Sequence, residues 1–434
     1  MNPTEPPPSS TAEAPDSPPG RPTKGALGIV WLVVFIDLLG FGIVLPVMPR
    51  QAEPYLAHLE LAPAARGAVI GVLFSVFSLM QFVFSPVWGR ISDRIGRRPV
   101  LLISLFGSVV FYALYGAAVT FDAADAQLAL GLMLLARVGA GVAGASVGTA
   151  AAVIADCTPP DKRAKGMALI GIAFGAGFTL GPLIAFFGLA LFDQKPWGVG
   201  ALASGLSLVA LLIALGVFKE TRNPANKTGK DFFSVARTVE VLKMPAVGAL
   251  VLIYFLAIFA FANFEATLAL LTQSAFGMSN EDNFLVFATV GAVLTVAGGA
   301  YRPMAKKQAE FKLLRFGVGA MVLGLSGIGL VAYLASTSGG AGGLKAGFYA
   351  AVSIAVIGFA FVNPSVSALV SKNADPARQG EVQGVNQAFA SLGRILGPFL
   401  GSVLFQAESS RTLPYLAAVL TLLLVAVLVP KIKK

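Results

Sequence analysis

The sequence predicts an all-α integral membrane protein with twelve transmembrane helices arranged as two six-helix bundles. Over 434 residues it is 56% hydrophobic and only 12% charged, with a mean hydropathy of +0.78. A soluble globular chain carries about 25% charged residues, so this composition indicates a membrane protein. Apolar stretches of about 20 residues, the length needed to cross a hydrocarbon core, recur from Ala26 to Val429. The basic residues, in turn, concentrate in alternate loops between these stretches.

Glycine and proline mark the ends of the apolar stretches. The predicted spans are 26–48, 67–88, 99–120, 128–155, 166–189, 198–218, 246–272, 284–303, 313–335, 346–370, 383–406 and 412–430.

The longest internal polar stretch divides these spans six and six. It predicts a cytoplasmic linker at 219–245, between an N-terminal bundle at 25–218 and a C-terminal bundle at 246–430. Residues 1–24 contain eight prolines among polar residues, so we expect a disordered cytoplasmic tail. Residues 431–434 are expected to form a basic cytoplasmic tail.

Most of the 32 basic residues fall in loops that share one side of the membrane with both termini. The positive-inside rule therefore predicts a multi-pass protein of the cell membrane with both termini in the cytoplasm. Because the net charge of +10 sits in these loops, no nucleic-acid partner is expected.

Cysteine and histidine are nearly absent. The single cysteine, Cys157, and the single histidine, His58, which lies between predicted spans, exclude a multi-cysteine metal cluster and an intramembrane histidine. No metal, no cofactor and no enzymatic activity are predicted.

Four ionisable residues lie deep in the predicted spans: Asp37, Arg137, Glu265 and Arg394. A charge at the bilayer centre costs about 2.5–3.5 kcal/mol on insertion scales, so such residues are candidates for function. Asp37 is interpreted as a proton-coupling carboxylate. The alternative is a permanent pair with Arg137 or Arg394 that serves assembly.

Glu265 ends a stripe with Tyr254, Ile258 and Phe261 at 4-3-4 spacing, which places the four residues on one helical face. This face could recognise cations or carry a proton through Glu265. It could equally be an ordinary core stripe with Glu265 near the outer headgroups, and the two interpretations stay open.

Arg137 is followed on its own face by Gly141, Gly144 and Gly148. These glycines either admit a neighbouring helix closely or leave room for Arg137 to reach a carboxylate.

In span eleven, Gln383, Gln387, Ser391 and Arg394 form a polar stripe that would be costly facing lipid. We expect it to line a water-filled cavity. The predicted substrate-cavity residues are Phe41, Tyr254, Phe261, Gln383, Gln387 and Arg394.

A Gly-x-x-x-Gly-Pro pattern occurs at 177–182 in span five and at 393–398 in span eleven, the fifth span of each half. Parallel repeats of this kind are typical of transporters. The predicted helix-kink residues are Gly177, Gly181, Pro182, Gly397 and Pro398.

The loop after span two has an ordered pattern of glycines, arginines and an aspartate over 89–102. It resembles the signature loop of the major facilitator superfamily, especially of the tetracycline-resistance proton antiporters. In that family the loop is a conformational latch, and Asp156 matches its acidic partner. Glycines 89 and 96 are expected to permit tight turns, and Asp93 to cap a helix or pair with an arginine. The latch residues are Gly89, Asp93, Arg94, Gly96, Arg97, Arg98 and Asp156.

Further segments carry the same resemblance. The segment 135–144 is similar to the family's arginine motif, implicated in proton transfer, and 175–182 is similar to the antiporter motif that kinks span five. Asp37 with its following glycines and Pro46 matches the span-one motif of drug antiporters. The chain departs from tetracycline exporters at Phe111 and Tyr112, where they carry a carboxylate, and at Ala185–Phe186, where a glycine pair is usual.

The resemblance implies a secondary active transporter that exports an amphipathic, drug-like small molecule by alternating access, coupled to protons through Asp37 and Arg137. Glu265, which the family lacks, is a further candidate for proton coupling, and a monomer is expected. One alternative is a facilitator or symporter of a nutrient or lipid-like solute. Another is a non-transporting membrane receptor built on a transporter fold.

Overall fold

The computed structural model describes residues 24–158, 163–222, 235–337, 342–375, 378–409 and 411–433. Residues 1–23 of the predicted tail lie outside this part of the chain. The same holds for residues 223–234 of the predicted linker and for Lys434 of the predicted basic tail.

The described ranges are built of α-helices joined by short turns, and no strand occurs among them. The helices of the first half are α1 (Lys24–Val44), α2 (Met48–His58), α3 (Pro63–Ile95), α4 (Arg97–Ala118), α5 (Ala126–Ala143), α6 (Val147–Cys157), α7 (Arg163–Leu191) and α8 (Gly198–Val217). The remaining helices are α9 (Val235–Lys243), α10 (Pro245–Phe276), α11 (Asn280–Lys307), α12 (Glu310–Thr337), α13 (Lys345–Asn373), α14 (Gln379–Ala407) and α15 (Leu413–Leu428). We refer to α10–α15 as the second half.

Each predicted span coincides with a helical segment. Ten segments of the described chain are long and apolar enough to cross a membrane, and Leu180–Leu191 and Leu413–Leu428 are shorter apolar helical stretches in predicted spans five and twelve. The prediction of an all-α, multi-pass membrane protein is therefore confirmed.

The structure departs from the predicted spans in three places. The first helix ends at Val44, and α2 follows with a proline in its first turn, where the missing N–H costs nothing. The fourth span is interrupted by a 3-10 turn at Gly144–Ser146. Helix α9 occupies the end of the predicted linker.

Glycines bring the first and fifth spans of the first half into backbone contact. A Cβ atom built on Gly181 would lie 2.7 Å from the Cα of Gly42, and one built on Gly42 would lie 2.8 Å from the carbonyl oxygen of Gly177. Small residues permit this approach of α1 to α7.

The second half repeats the arrangement with α10 and α14. A Cβ atom built on Gly397 would lie 2.6 Å from the carbonyl oxygen of Phe259. The first and fifth spans therefore pack together in both halves, and the glycines of the repeated pattern lie at these contacts.

We expect Gly181→Ala to destabilise the protein, because its methyl group would meet the backbone of α1. Overpacking of this kind typically costs about 1–3 kcal/mol. The matched control is Gly205→Ala on α8, where a Cβ meets no atom within 4 Å and alanine is the better helix former. Thermal unfolding of the purified protein in detergent measures both. Equal melting temperatures for the two variants would contradict the close contact.

Candidate functional site

Asp37 lies near the middle of α1 and is only 1% exposed. Ser108 Oγ donates to Asp37 Oδ1 at 3.1 Å, Ser146 Oγ donates to Oδ2 at 2.7 Å, and Ser104 Oγ lies 3.5 Å from Oδ2. The Tyr112 hydroxyl lies 3.5 Å from the main-chain oxygen of Asp37. Asp37 is thus surrounded by hydroxyl groups from two neighbouring segments.

The serines reach Asp37 because of local helix geometry. Ser104 and Ser108 are one turn apart on α4, so they share a face. Ser146 comes from the 3-10 turn between α5 and α6. The pair on α4 is visible in the sequence as two serines four residues apart in an apolar span, but the approach of Ser146 depends on the interruption of span four.

Asp37 forms no ion pair. Within the described residues, no arginine or lysine nitrogen lies within 4.0 Å of its carboxylate. The permanent pair with Arg137 or Arg394, considered from the sequence, is therefore not formed in this structure. The physical reason is that Asp37 faces α4 and the 3-10 turn, whereas Arg137 faces α3.

Arg137 of α5 is 2% exposed and its guanidinium is only partly paired. Its Nε donates to the carbonyl oxygen of Leu73 at 3.0 Å. Its guanidinium carbon lies 4.6 Å from the ring centroid of Phe77 and 5.2 Å from that of Phe41. Stacking on aromatic faces stabilises a desolvated guanidinium. The Nη1 atom has no hydrogen-bond partner in the described part of the chain.

A central cavity lies between the two halves. The space within it for the centre of a water-sized sphere is about 20 Å³, roughly what one water molecule needs. Four helices, two from each half, line it with Phe41, Leu45, Phe74, Ser78, Ala262, Glu265, Ala266, Arg394 and Pro398.

The cavity brings together three of the predicted site residues, Phe41, Glu265 and Arg394. Arg394 Nη2 donates to Ser391 Oγ at 3.2 Å. No ion pair within 4.0 Å joins Glu265 to Arg394 in the described structure. The cavity therefore presents one acidic and one basic side chain between aromatic walls. Leu45, Phe74 and Ser78 were missed by sequence reasoning, because apolar helix faces look alike whichever neighbour they contact.

The other predicted cavity residues are not among those that line this cavity, and their assignment stays a prediction. The Tyr254 hydroxyl donates to Asn363 Oδ1 at 2.7 Å, and Phe261 stacks on Phe359 with ring centroids 3.7 Å apart. The face that carries them therefore packs against α13.

Two glutamines of α14 were also assigned to the cavity. Gln383 Nε2 donates to the carbonyl oxygen of Ser367 at 3.2 Å, and Gln387 is exposed. Gln383 thus lies against α13, and neither residue is part of the cavity lining.

The predicted latch residues meet at the side that carries the segment 89–98, which we call the basic face. Arg97 Nη1 lies 2.6 Å from Asp93 Oδ1, and Arg97 Nε lies 3.1 Å from Asp156 Oδ2. Arg97 also donates to Ser92 Oγ at 2.5 Å. Of the two roles considered for Asp93, the structure shows the pair with an arginine. Arg97 thus joins α3, α4 and α6.

The other two arginines that the latch prediction includes between positions 94 and 98, Arg94 and Arg98, form no ion pair with Asp93 or Asp156 in the described residues. Arg98 Nη2 donates to the carbonyl oxygen of Leu215 at 3.0 Å. The main-chain oxygen of Arg94 accepts from Arg222 Nη1 at 2.8 Å.

The turn expected at Gly89 is not formed, because α3 continues to Ile95. The Ser92 hydroxyl donates to the Gly89 carbonyl at 2.7 Å within that helix. The chain reverses instead at Gly96, which has φ +109 and therefore needs glycine.

Glu220 completes the basic face and was missed from the sequence. Its carboxylate accepts from the backbone N–H groups of Arg97 and Arg98 at 2.9 and 3.1 Å, and of Thr221 and Arg222 at 3.0 and 2.9 Å. It therefore caps the N-terminus of α4 from a distant part of the chain. Burial works to raise the pKa of Glu220, but these N–H donors outweigh it and lower the pKa.

The lowered pKa predicts how stability depends on pH. The contribution of Glu220 is present above the carboxyl pKa of the unfolded chain and is lost as pH falls through the lower pKa of the folded protein. We expect Glu220→Gln to be less stable than the parent at pH 7, with the difference shrinking below about pH 4. Urea unfolding at both pH values measures this. Exposed Glu60, replaced by Gln, is the control, and a difference independent of pH would contradict the assignment.

The side that carries α2, which we call the opposite face, is closed by contacts between the halves. Arg50 of α2 donates to Thr272 Oγ1 at 3.0 Å, to the Met278 carbonyl at 2.8 Å, to the Ala269 carbonyl at 3.4 Å and to Asn280 Oδ1 at 3.3 Å. Burial lowers the pKa of Arg50 to about 10, with Asp282 opposing the shift, so Arg50 is charged at pH 7.

Further contacts join the halves between the opposite face and the cavity. Asn283 Nδ2 donates to the Pro46 carbonyl at 2.8 Å, Gln194 Nε2 donates to Glu281 Oε1 at 2.9 Å, and Ser75 Oγ donates to the Ile395 carbonyl at 2.5 Å. The ion pairs of the basic face instead join Arg97 to Asp93 and Asp156, and Arg378 to Glu240 and Glu381. None of these pairs crosses between the halves. The structure is therefore a state closed at the opposite face.

We expect Arg50→Gln to weaken this closure, because a shorter neutral side chain cannot reach the four acceptors. Spin labels on the exposed positions Ala57 and Gln273, in a Cys157→Ser background, should show a larger population of long distances. Arg66→Gln is the matched control, since Arg66 contacts Leu61 and Glu53 within the first half. Unchanged distances in Arg50→Gln would show that other contacts hold the face closed.

Comparisons with known proteins extend over nearly the whole chain. The family model described as Major Facilitator Superfamily matches residues 30–398 and 327–434. The class G tetracycline resistance protein of Vibrio anguillarum is 30% identical over 395 residues, which cover 88% of this chain and 90% of that protein. Major facilitator superfamily domain-containing protein 10 of Bos taurus is 29% identical over 464 residues, covering 96% and 94%.

Solved structures show the same fold. The human organic anion transporter MFSD10 (TETRAN) matches 94% of this chain and 100% of that chain, with a TM-score of 0.61 and 24% identity. A D-xylose-proton symporter matches 93% and 97%, with a TM-score of 0.71 and 18% identity.

Proposed function

Because this chain belongs to the Major Facilitator Superfamily, we propose that it is a secondary active transporter that exports an amphipathic organic molecule in exchange for protons. The observation that carries this proposal is the buried carboxylate of Asp37, which has hydroxyl partners and, among the described residues, no cationic side chain within 4.0 Å. The chain is a multi-pass transporter rather than an enzyme, so the proposal concerns the coupling ion, the substrate and the direction.

Proton coupling is inferred from the free-energy cost of an unpaired charge that is shielded from water. An ionised carboxylate away from water is unfavourable unless it is paired, and binding a proton removes the charge. Serine hydroxyls both donate and accept hydrogen bonds, so the groups around Asp37 can satisfy either the charged or the neutral carboxyl group. Asp37 can therefore bind and release a proton without rebuilding its surroundings.

Substrate class is inferred from the central cavity. Phe41 and Phe74 supply aromatic surface, while Glu265 and Arg394 supply one charge of each sign. Ligand sites typically combine apolar walls with a few placed polar groups. This composition fits an amphipathic molecule, and the similarity to tetracycline resistance proteins supports an exported, drug-like one.

The direction is inferred from the closed opposite face. Because the halves are joined at the opposite face, we infer that substrate reaches the cavity from the basic face, which the positive-inside rule assigns to the cytoplasm. Rocking of the halves would break the Arg50 contacts and open the opposite face. Arg97, held by Asp93 and Asp156, would keep the basic ends of α3, α4 and α6 together during this movement. A monomer contains all of these parts.

A second candidate is transport of an organic anion, favoured by Arg394 in the cavity wall. A guanidinium group recognises carboxylates through paired hydrogen bonds. The human transporter with the same fold is described as an organic anion transporter.

The test is transport by purified protein in liposomes under an imposed pH gradient, with ethidium as cationic probe and fluorescein as anionic probe. Asp37→Asn is expected to lower gradient-driven transport about tenfold or more, because an amide cannot carry the proton. Counterflow without a gradient should persist. Asp125→Asn, the same change at an exposed position, should behave like the parent.

The outcomes separate the candidates. Full gradient-driven transport by Asp37→Asn would overturn proton coupling through this residue. Transport of fluorescein that Arg394→Gln abolishes, together with no transport of ethidium, would establish the anion transporter. Counterflow that never responds to the gradient in the parent protein would indicate a facilitator.

A further inference from the structure

The connection between α11 and α12 carries basic side chains on both sides of a tight turn. Helix α11 ends at Lys307 and α12 begins at Glu310, and the backbone N–H of Gln308 donates to the Met304 carbonyl at 2.9 Å. Glu310 is the one acidic residue between positions 302 and 315. We call the five basic residues of this connection the basic hairpin: Arg302, Lys306, Lys307, Lys312 and Arg315.

The charges of the basic hairpin are not neutralised within the described part of the chain. All five side chains are exposed, and none of them forms an ion pair within 4.0 Å there. Glu310, the nearest acid along the sequence, pairs with Lys372 of α13 instead. Like charges held close together repel each other. An anion from outside the protein would relieve this repulsion.

The first half has a corresponding connection between its second and third spans, the segment 89–98. Its central arginine, Arg97, pairs with Asp93 and Asp156, and Glu220 accepts from the backbone N–H groups at the start of α4. Both connections follow the second span of a half, so both lie on the basic face. The protein thus supplies partners to Arg97, whereas its described residues supply no ion-pair partner to the basic hairpin.

The basic hairpin adjoins a membrane-facing surface of α12. Phe316, Leu323 and Leu330 are 54%, 63% and 58% exposed, and they repeat at about two turns, so they share one face. Helix α12 packs on α10, α13 and α15, all in the second half, so this exposed face is directed to lipid. Lys312 lies one turn before Phe316 on the same face. The cations of the hairpin therefore lie where the hydrocarbon-facing surface ends and lipid headgroups begin.

We propose that the basic hairpin is a binding site for the anionic headgroups of phospholipids in the leaflet on the basic face. Clusters of about four to eight Lys and Arg residues next to the cytoplasmic end of a membrane helix attract acidic lipids. Lipid phosphates accept hydrogen bonds from the ammonium and guanidinium groups, and the acyl chains lie along Phe316 and Leu323. This inference is independent of the proposed function, since it requires neither Asp37 nor the cavity.

The test is native mass spectrometry of the purified full-length protein in detergent, titrated with phosphatidylglycerol or with phosphatidylcholine of the same acyl chains. Phosphatidylglycerol is expected to bind about tenfold more tightly or better, because its headgroup carries a net negative charge. A higher concentration of ammonium acetate should narrow the difference, since salt screens exposed charges. Equal binding of the two lipids would overturn the proposal.

Variants that remove charge assign the lipid to the basic hairpin. Lys306→Gln combined with Lys307→Gln is expected to weaken phosphatidylglycerol binding about tenfold and to leave phosphatidylcholine binding unchanged. The matched control is Lys195→Gln combined with Lys345→Gln, which removes the same charge from exposed positions on the opposite face. An equal loss in the two double variants would show that only the overall charge attracts the lipid, and the proposal would be wrong.

A second pair of substitutions checks the other side of the turn. Lys312→Gln combined with Arg315→Gln should weaken phosphatidylglycerol binding to a similar extent. The melting temperature of each variant in lipid-free detergent should match that of the parent, because all of these side chains are exposed. Parent-like binding of phosphatidylglycerol by both folded hairpin variants would refute the site.

A competition arm distinguishes a lipid from a soluble phosphate compound. Glycerol phosphate carries a phosphate group without acyl chains, so it cannot use the apolar face of α12. It is expected to leave bound phosphatidylglycerol in place at equal concentration. Displacement at that concentration would show a site for soluble phosphates and would contradict the assignment to lipid.

Discussion

An ionisable side chain within the hydrocarbon region has to find its partners inside the protein, because lipid offers none. This constraint shapes the centre of the molecule more than any other. Asp37 is satisfied by hydroxyl groups, and Arg137 contacts a carbonyl oxygen and two aromatic rings, with Nη1 unpartnered in the described part of the chain. Glu265 and Arg394 are left at the cavity wall. The first pair is thus enclosed within one half, while the second pair faces the space between the halves.

Asp37 and Arg137 are enclosed within one half, whereas Glu265 and Arg394 face the cavity. This division fits a transporter in which the coupling ion and the substrate bind at different sites. Phe41 connects the two, since it lines the cavity and also contacts Arg137. Helix α1 carries both Asp37 and Phe41, one turn apart, and packs closely on α7 through Gly42 and Gly181. Rigid backbone contact at these glycines would let α1 and α7 move as one body.

The fold could be predicted from the sequence because each membrane span is a long, uninterrupted apolar stretch. A span of about 20 apolar residues is hard to mistake, and the repeated glycine-proline pattern indicated two related halves. The site could be predicted only in part. The cost of burying a charge identified Asp37, Arg137, Glu265 and Arg394, but not their partners.

The partners of these residues come from segments that are distant in the sequence. A single sequence does not show which distant segments meet in the fold. Ser146 depends on a break within span four, and Glu220 caps a helix that begins 123 residues earlier in the chain. The stripe of Tyr254 and Phe261 had the right periodicity but faces α13, because helical spacing specifies a face and not the neighbour of that face. Gly89 continues a helix, since glycine permits a turn without requiring one.

Arg50 shows how such a protein can change its sequence while keeping its mechanism. Two of its four acceptors are main-chain carbonyls, those of Ala269 and Met278. A carbonyl oxygen is present whatever side chain the residue bears, so the second half can vary at these positions and still receive the arginine. Replacing Ala269 or Met278 therefore leaves a carbonyl acceptor in place, whereas replacing Thr272 or Asn280 removes a side-chain acceptor.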